Sequence, residues 1–236
     1  MLSRSWSSKT FVGATAVAAA LSIVFHTQPT DSYNTFPRNY SKSKTSLEAS
    51  AVSNSFDTFI CSKKSHELCS GKNVLLTGAS GGLGEAFAAQ LARCGASKII
   101  LSGREVDRLN KVAKRCTDIA KSNGHGNILV EVITCDLSDM KDVQKLGNKA
   151  TQICFPGTVD MLINNGGISS RSSFLQTNVN VDELLMKVNF LSGASLAKIL
   201  APGMVAKESG TILWISSVQG LGENTDMIKF CSQKLS

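Results

Sequence analysis

The sequence lacks the features that would support several classes of function. Its seven cysteines are an odd number and include no C-x-x-C pair, so neither a zinc site nor a complete disulfide framework is indicated. Its three histidines are isolated and do not have metal-ligand spacing. The net charge is +7, but no dense basic cluster with interleaved aromatic residues occurs, so nucleic-acid binding is not indicated. We therefore expect no metal, no nucleic-acid partner, and reduced thiols of which several fill a core.

Long apolar runs and tyrosines are scarce as well. No apolar run reaches the roughly 18 residues that indicate a membrane span, which excludes a multispanning membrane protein. Both tyrosines, Tyr33 and Tyr40, lie near the N-terminus, so residues 71–236 contain none. The proportions of 42% hydrophobic and 18% charged residues are nevertheless those of a globular protein that buries a core.

The first 70 residues have the pattern of a targeting segment followed by a spacer. Two basic residues and several serines precede an apolar stretch at 11–25, and no acidic residue occurs before Asp31. This pattern predicts a signal peptide or N-terminal membrane anchor over residues 1–28. The membrane of the endoplasmic reticulum is favoured, and a mitochondrial presequence is the alternative because it also lacks acidic residues. Residues 29–70, rich in Ser and Thr, are predicted to be a spacer.

From residue 71 onward, short apolar runs alternate with amphipathic segments. Strands are predicted at 72–77, 98–102, 128–134, 159–163 and 210–216, and the later helices at 106–121, 139–154 and 181–207. This alternation predicts an α/β fold, a Rossmann-like doubly wound parallel sheet with helices on both faces. In such a sheet, ligands bind at the carboxyl ends of the strands. We treat residues 71–236 as one domain.

The loop after the first strand has the composition of a phosphate-binding turn. It is TGASGGLG, and the predicted strand and helix flank it in the correct order. Its glycines let backbone amides and the helix N-terminus approach a pyrophosphate. This context favours a dinucleotide-binding fold over a chance glycine turn. The predicted cofactor contacts in this loop are Thr77, Gly78, Ser80, Gly82, Leu83 and Gly84.

The second strand ends in a cation where NAD-binding sheets carry an acidic residue. Arg104 follows Ser102 and Gly103 directly. An arginine at this position would pair with a 2′-phosphate, so the sequence favours NADP(H) over NAD(H). Glu105 comes next, and the alternative interpretation is that Arg104 and Glu105 are solvated residues that begin the following helix.

Residues 72–236 resemble the short-chain dehydrogenase/reductase family. TGASGGLG is similar to its cofactor turn, Asp136 to its acid near adenine, and NNGG (164–167) to its N-N-A-G motif with glycine for alanine. Ser217 is similar to its catalytic serine, and residues 187–204 resemble the helix that carries its catalytic asparagine, here Asn189. The membrane-anchored, NADP-using branch that includes hydroxysteroid dehydrogenases is the most similar.

The resemblance implies hydride transfer between NADP(H) and a carbonyl or hydroxyl group of a lipophilic small molecule. A tyrosine moves the proton, a lysine lowers the pKa of that tyrosine and holds the ribose, serine binds the substrate oxygen, and asparagine helps hold a water. A homodimer through the long helices is also implied. Besides the glycine loop, the implied cofactor contacts are Ser102, Arg104, Asp136, Leu137, Asn164, Gly166 and Lys234.

The chain departs from the family at the tyrosine. Counting from Ser217, the tyrosine position is Phe230, and Lys234 completes an F-x-x-x-K segment. Because general acid–base catalysis contributes about 10²–10⁴-fold, the sequence predicts impaired carbonyl reduction, as in a pseudoenzyme. The candidate catalytic residues are thus Asn189, Ser217, Phe230 and Lys234.

The sequence also stops soon after Lys234, whereas family members continue with further strands and helices, so we expect a domain that is incomplete at its C-terminus. Three functions stay open: an NADP(H)-dependent oxidoreductase, a non-catalytic NADP(H)-binding or interaction protein, and an incomplete gene product. A serine–lysine hydrolase is a more distant alternative, because no nucleophile elbow or oxyanion donor is evident.

Overall fold

The computed structural model describes residues 63–170 and 176–216, which form alternating strands and helices. The strands are β1 (Asn73–Thr77), β2 (Lys98–Gly103), β3 (Leu129–Thr134), β4 (Met161–Asn164) and β5 (Thr211–Trp214). The helices are α1 (Lys63–Cys69), α2 (Gly82–Arg93), α3 (Val106–Ser122), α4 (Met140–Cys154), α5 (Val179–Met186) and α6 (Ser192–Ala206). A π-helical turn, Lys187–Leu191, joins α5 to α6.

All five strands are parallel and lie in the order β3-β2-β1-β4-β5. The chain builds outward from β1 in one direction and then returns to build in the other, so the order reverses between β1 and β4. This reversal opens a crevice at the carboxyl ends of the strands, where doubly wound sheets bind ligands. The predicted α/β fold with a parallel sheet is confirmed.

Helices cover both faces of the sheet, and successive side chains of β1 are buried on alternate faces. Val74 and Leu76 pack with α2 and α3 on one face. Leu75 packs with α4 and α6 on the other. Each of the three side chains is fully buried, and burying such an aliphatic side chain contributes about 1.5–3 kcal/mol. The central strand therefore carries two cores, which fixes the position of the loop that follows it.

The predicted spacer differs from the structure at its end. Its last residues form helix α1, and Cys69 packs against the core beneath α2 and α3. Gly71 has a φ of +70° and its N–H donates to the carbonyl of Gly95, which turns the chain into β1. The helix has only seven residues, too few to show an amphipathic period in the sequence. Residues 1–62, with the predicted anchor, lie outside the described residues.

The thiol prediction is partly correct. Cys116, Cys135 and Cys154 are free and buried, and burial raises the pKa values of all three thiols. Cys94, in contrast, is disulfide-bonded, so the expectation of reduced thiols is wrong at this position. An odd number of cysteines does not indicate which of them forms a disulfide bond.

One helical run among the described residues, Val179–Ala206, is long and apolar enough to cross a membrane, with a mean hydropathy of 1.4. Its apolar residues also serve the fold, since Leu196 and Leu200 are buried against the sheet. A core helix meets the same criteria of length and composition, so this property is weak support for a membrane span. No group of residues arranged to hold a metal ion occurs in 63–170 or 176–216.

Candidate functional site

The glycine loop after β1 depends on close backbone contacts. Gly78 has a φ of +64°, and a Cβ there would lie 2.7 Å from the Cα of Gly166. A Cβ on Gly84 would lie 2.1 Å from the carbonyl oxygen of Gly78. Gly82 has open space around it but a φ of +56°, so its requirement is conformational. The three glycines thus let helix α2 begin directly beneath the loop, where its N-terminus faces the crevice.

Thr77 and Asn165 bind this loop to the turn after β4. The Thr77 hydroxyl accepts hydrogen bonds from the backbone N–H groups of Asn165 (3.1 Å) and Gly166 (3.0 Å). The Asn165 side-chain amide donates to the carbonyls of Thr77 (3.1 Å) and Gly78 (3.0 Å). These four bonds hold the two loops together at the crevice, with Thr77 itself buried. The sequence interpretation did not single out Asn165, although the second asparagine of NNGG was a signal for it.

A cleft of about 600 Å³ opens between these loops. It lies against the glycine loop, the ends of β2 and β3, the turn after β4, and helix α5. Eight of the predicted cofactor residues line it: Gly78, Ser80, Leu83, Ser102, Arg104, Asp136, Leu137 and Gly166. The cleft also has lining residues that the sequence did not indicate, including Arg108, Ser138, Asn165, Ile168 and Leu184. Four other predicted contacts do not line it: Thr77, Gly82, Gly84 and Asn164.

Charged residues form the wall of the cleft at the corner between β2 and α3. Arg104, Glu105 and Arg108 all line this wall. Arg108 Nη1 lies 3.2 Å from Glu105 Oε1, and both side chains are largely exposed. The predicted cation at the end of β2 is therefore at the cleft, and it has a second arginine one helical turn further along the chain.

Asp136 also lines the cleft, two residues after the end of β3. Hydrogen bonds from the Ser138 N–H (2.9 Å) and hydroxyl (2.8 Å) lower the pKa of the Asp136 carboxyl, and the charge of Arg104 lowers it further. A carboxylate that accepts two hydrogen bonds stays ionised and keeps its orientation. The adjacent Cys135 also lines the cleft. Burial is the main cause that raises the pKa of its thiol to about 12, and nearby carboxylates contribute to the same shift. Cys135 is thus a neutral thiol there.

Asn189 lies in the π-helical turn between α5 and α6. Its Oδ1 accepts from the Ile168 N–H at 2.9 Å, and its Nδ2 donates to the Ile168 carbonyl at 3.0 Å. The side chain is buried, so these bonds fix the path of the chain that leaves the NNGG turn. Turns of this kind interrupt α-helices frequently at functional sites. Asn189 thus lies within the long helical run, at a local change of helical pitch, and its catalytic role stays a prediction.

Several buried polar side chains near the carboxyl ends of the strands have no hydrogen-bond partner in the part of the chain that the structure describes. Ser102 Oγ, on the cleft wall, is one of them. Both amide atoms of Asn164 are unpaired as well, and so is Ser216 Oγ after β5. Buried polar atoms are paired in most structures, so these positions suit a polar ligand or a further segment. Ser217, Phe230 and Lys234 lie outside the described residues, and their roles stay predictions.

Comparisons with known proteins agree with this geometry. Residues 72–236 match the family model described as short chain dehydrogenase. A dehydrogenase/reductase SDR family protein 7-like of Anopheles gambiae is 39% identical over 152 residues, which are 64% of this chain and 46% of that protein. Its Drosophila melanogaster counterpart is 37% identical over 170 residues, 72% of this chain and 50% of that protein. The chain spans about half the length of the curated relatives it matches.

Solved structures of short-chain oxidoreductases are similar to this chain as well. A metagenomic short-chain oxidoreductase in complex with NADP matches with a TM-score of 0.62 and 27% identity. The match covers 70% of this chain and 71% of that chain.

Proposed function

The chain belongs to the short chain dehydrogenase family, and we propose that it binds NADP(H) in the cleft of about 600 Å³ while its hydride-transfer chemistry is impaired. The reaction of this lineage would be reduction of a carbonyl group, or oxidation of a hydroxyl group, on a lipophilic small molecule. The observation that carries the proposal is that the glycine loop and the wall formed by Arg104, Glu105 and Arg108 line the same cleft.

The described residues fit this cofactor. A Cβ on Gly78 or Gly84 would meet backbone atoms, so glycine at both positions lets the loop pack closely on α2 and on the turn after β4. This packing leaves backbone N–H groups and the N-terminus of α2 available to a pyrophosphate. Arg104 supplies a guanidinium for a 2′-phosphate, which it can bind in a bidentate manner. Ser102 has a buried hydroxyl without a partner on the same wall. An NADP complex of a structural neighbour at 27% identity supports the same choice.

When bound, NADP(H) supplies the hydride or accepts it. Asn189 holds the backbone of Ile168, which lines the cleft, through both atoms of its amide. We propose that Ser217 donates a hydrogen bond to the substrate oxygen and that Lys234 holds the ribose.

Phe230 is the reason for proposing impaired chemistry. It stands where the family has tyrosine, and phenylalanine has no hydroxyl group to give a proton to the substrate oxygen or take one from it. The aromatic ring keeps the shape of that side chain, so cofactor binding need not change. The second candidate, a non-catalytic NADP(H)-binding protein, is favoured by the same residue.

The test combines binding and turnover. The purified 236-residue chain is titrated with NADPH by fluorescence. It is then assayed on a panel of lipophilic ketones and aldehydes beside Phe230→Tyr. We expect NADPH binding in both proteins, and a gain of about 10²–10⁴-fold in carbonyl reduction in the variant, the usual contribution of a positioned general acid. Phe155→Tyr is the matched control, because Phe155 is 78% exposed and follows α4 at the amino ends of the strands.

Three results separate the candidates. Full turnover by the wild type, unchanged in Phe230→Tyr, would contradict the impairment. Binding without turnover in both proteins would favour the non-catalytic function. A wild type that binds neither NADPH nor NADP⁺ would overturn the cofactor proposal itself.

We also propose that residues 1–28 attach the protein to the endoplasmic reticulum membrane, where lipophilic substrates partition. The apolar stretch at 11–25 supports this location over the mitochondrial alternative, whereas the lack of acidic residues before Asp31 fits both. Removing residues 1–28 should move the protein from the membrane fraction to the soluble fraction. Homodimerisation through the long helices is proposed as well, and sedimentation of the full chain in detergent would test it.

A further inference from the structure

The amino ends of the strands form a face of the domain opposite the cleft. The Lys72 carbonyl before β1 accepts hydrogen bonds from the N–H groups of Ser97 (2.9 Å) and Lys98 (3.2 Å) at the start of β2. The Leu129 N–H, at the start of β3, donates to the Ser97 carbonyl at 3.0 Å. Lys98 Nζ donates to the Ile153 carbonyl at 2.8 Å, near the end of α4. Three strand starts and the end of α4 thus lie side by side, and we call the basal face the surface formed by residues 63–72, 95–98, 121–129, 153–160 and 203–208.

Three large apolar side chains are exposed on the basal face. Phe155 follows α4 and is 78% exposed, Val205 in the last turn of α6 is 57% exposed, and Leu129 is 40% exposed. The end of α6 belongs to this face because Lys207 forms an ion pair with Asp160, the residue directly before β4. An exposed apolar side chain needs no explanation by itself, so the significance of these three depends on the charges around them.

The charges of the basal face are mainly positive. The rings of His66 on α1 and His125 after α3 have centroids 5.9 Å apart, which places the end of α3 and its Lys121 beside α1. The acidic residues of the face are Glu67, Asp160 and Glu208, and its lysines are Lys63, Lys64, Lys72, Lys98, Lys121 and Lys207. Apolar side chains among lysines suit the interface of a membrane that contains anionic lipids.

The N-terminal part of the chain also joins the domain at the basal face. Helix α1 is the first described element, and the Gly71 N–H that follows it donates to the Gly95 carbonyl after α2 at 2.8 Å. Residues 1–62, which include the apolar stretch at 11–25, connect directly to α1. The tether between the proposed membrane attachment and the domain therefore begins at the basal face.

We propose that the basal face docks on an anionic lipid surface. Phe155, Val205 and Leu129 then lie at the level of the headgroups, where aromatic side chains are enriched, and the lysines lie against the lipid phosphates and carboxylates. This inference rests on the proposed membrane attachment of residues 1–28 and adds the surface of the folded domain that the membrane contacts. The cleft at the opposite end then opens to water, from which the soluble, charged NADP(H) enters.

The opposite end of the domain does not suit the same lipid surface. Val179 and Leu184 on α5 are exposed there, with the acidic residues Asp182 and Glu183 between them. An anionic surface would repel these carboxylates, and Leu184 also lines the cleft. Charge therefore distinguishes the two ends, although both expose apolar side chains.

The experiment introduces one tryptophan at either end of the domain in the 236-residue chain. Phe155→Trp reports on the basal face, and Val179→Trp is the matched control, at a residue 67% exposed on the helix that lines the cleft. Each protein is reconstituted with vesicles of equal parts phosphatidylcholine and phosphatidylserine, with and without bromine on the acyl chains. Flotation measures membrane attachment, quenching by bromine measures lipid contact, and the wild type gives the signal of Trp6 and Trp214 for subtraction.

We expect brominated lipid to quench the fluorescence added at position 155 and to leave that at position 179 unchanged. Lys63→Gln with Lys121→Gln, in the Phe155→Trp background, should lower the ratio of docked to undocked domain about 25-fold, since each lysine near anionic lipid contributes about fivefold. Lys141→Gln with Lys145→Gln, which removes the same charge from the first half of α4, should leave this ratio unchanged.

The outcomes separate this inference from the proposal on which it rests. Equal quenching at positions 155 and 179, in a protein that floats with the vesicles, would overturn the docking surface alone. Quenching at position 155 that both pairs of lysine substitutions leave unchanged would overturn the role of anionic lipid. A chain that does not float with the vesicles would overturn the membrane attachment together with the docking surface.

Discussion

The cleft has two walls of different construction. The glycine wall, formed by Thr77–Gly84 with Asn165 and Gly166, consists of backbone atoms in close contact and hydrogen bonds between buried groups. The charged wall, formed by Arg104, Glu105 and Arg108, consists of exposed side chains joined by an ion pair at 3.2 Å. One wall cannot accept an added methyl group at Gly78 or Gly84, whereas the other consists of exposed side chains that water and salt screen.

This difference corresponds to what each wall would recognise. The pyrophosphate is common to all nicotinamide dinucleotides, and backbone N–H groups held in a fixed loop suit an invariant group. The 2′ position is where the cofactors differ, and long charged side chains are suited to selecting between them. Substitutions in the glycine wall should therefore affect folding, and substitutions in the charged wall should affect selectivity.

The strongest way to break the glycine wall is Gly84→Ala. The new Cβ would lie 2.1 Å from the Gly78 carbonyl oxygen and 2.9 Å from the Ala79 Cα, and neither backbone atom can move without displacing the loop. We expect a loss of about 3 kcal/mol in the free energy of unfolding, at the upper end for an overpacked site. Urea denaturation followed by circular dichroism would measure it.

The matched control is Gly81→Ala in the same loop. Gly81 has a φ of 173°, an extended conformation that any residue adopts, and its Cβ would meet nothing within 4 Å. Its effect should stay within about 0.5 kcal/mol, as for surface substitutions. Equal destabilisation by the two alanines would show that contact distance does not determine the rigidity of this wall.

Thr77→Val should have the next largest effect. It keeps the branched shape but removes the hydroxyl that accepts from the N–H groups of Asn165 and Gly166. Leaving partly buried donors unpaired costs about 1–3 kcal/mol. Amide hydrogen exchange at these two residues should accelerate more than in Thr117→Val, where the lost hydroxyl only donates to the Ala113 carbonyl. Unchanged exchange at residues 165 and 166 would contradict the role given to Thr77.

Gly166→Ala sharpens the comparison, because it introduces the alanine of the N-N-A-G motif. The added Cβ would lie 2.4 Å from Leu137 Cδ1, the end of a flexible side chain that can turn away. We expect a loss of about 1 kcal/mol, and less in a Leu137→Ala background. A double-mutant cycle by urea denaturation measures this coupling. Additive effects of the two substitutions would mean that Leu137 does not fill the space left by Gly166.

The smallest expected effect concerns Asp136 beside the charged wall. Hydrogen bonds from Ser138 hold its folded-state pKa below the ordinary value of 3.8. The resulting stability is fully present above the unfolded pKa and is lost as pH falls through the folded pKa. Ser138→Ala should move the folded pKa of Asp136 up toward 3.8, which carboxyl NMR titration would detect. Ser138→Ala keeps the backbone N–H, the larger cause, so an unaffected titration midpoint would contradict the role given to the Ser138 hydroxyl.

The fold could be predicted well from the sequence because its signals are local. The apolar run before TGASGGLG and the amphipathic run after it identify a strand and a helix without reference to the rest of the chain. Helix α1 and the π-helical turn at Lys187–Leu191 could not be predicted in this way. The former is too short for an amphipathic period and Cys69 packs it on the core, and the latter has no sequence period of its own.

The candidate site was predictable in its motifs and less so in its individual side chains. Arg104 and Asp136 are at the cleft because each lies within two residues of the carboxyl end of a strand. Asn164 and Asn165 are neighbours in the sequence, but Asn164 is buried beside Gly193 whereas Asn165 spans to the glycine loop. Arg108 could not be singled out either, since a basic residue on an amphipathic helix usually faces water.

The sequence by itself determined that strands, glycine turn and helices alternate, because hydrophobic period and glycine placement act over a few residues. The tertiary structure alone decided which side chains meet. Thr77 binds the backbone of Asn165, 88 residues further along the chain, only because β1 and β4 are neighbours in the sheet. Likewise, the carboxyl ends of β1 and β2 lie in register, Thr77 beside Ser102, which brings the charged wall to the glycine wall. Sheet pairing sets these contacts, and no local pattern encodes it.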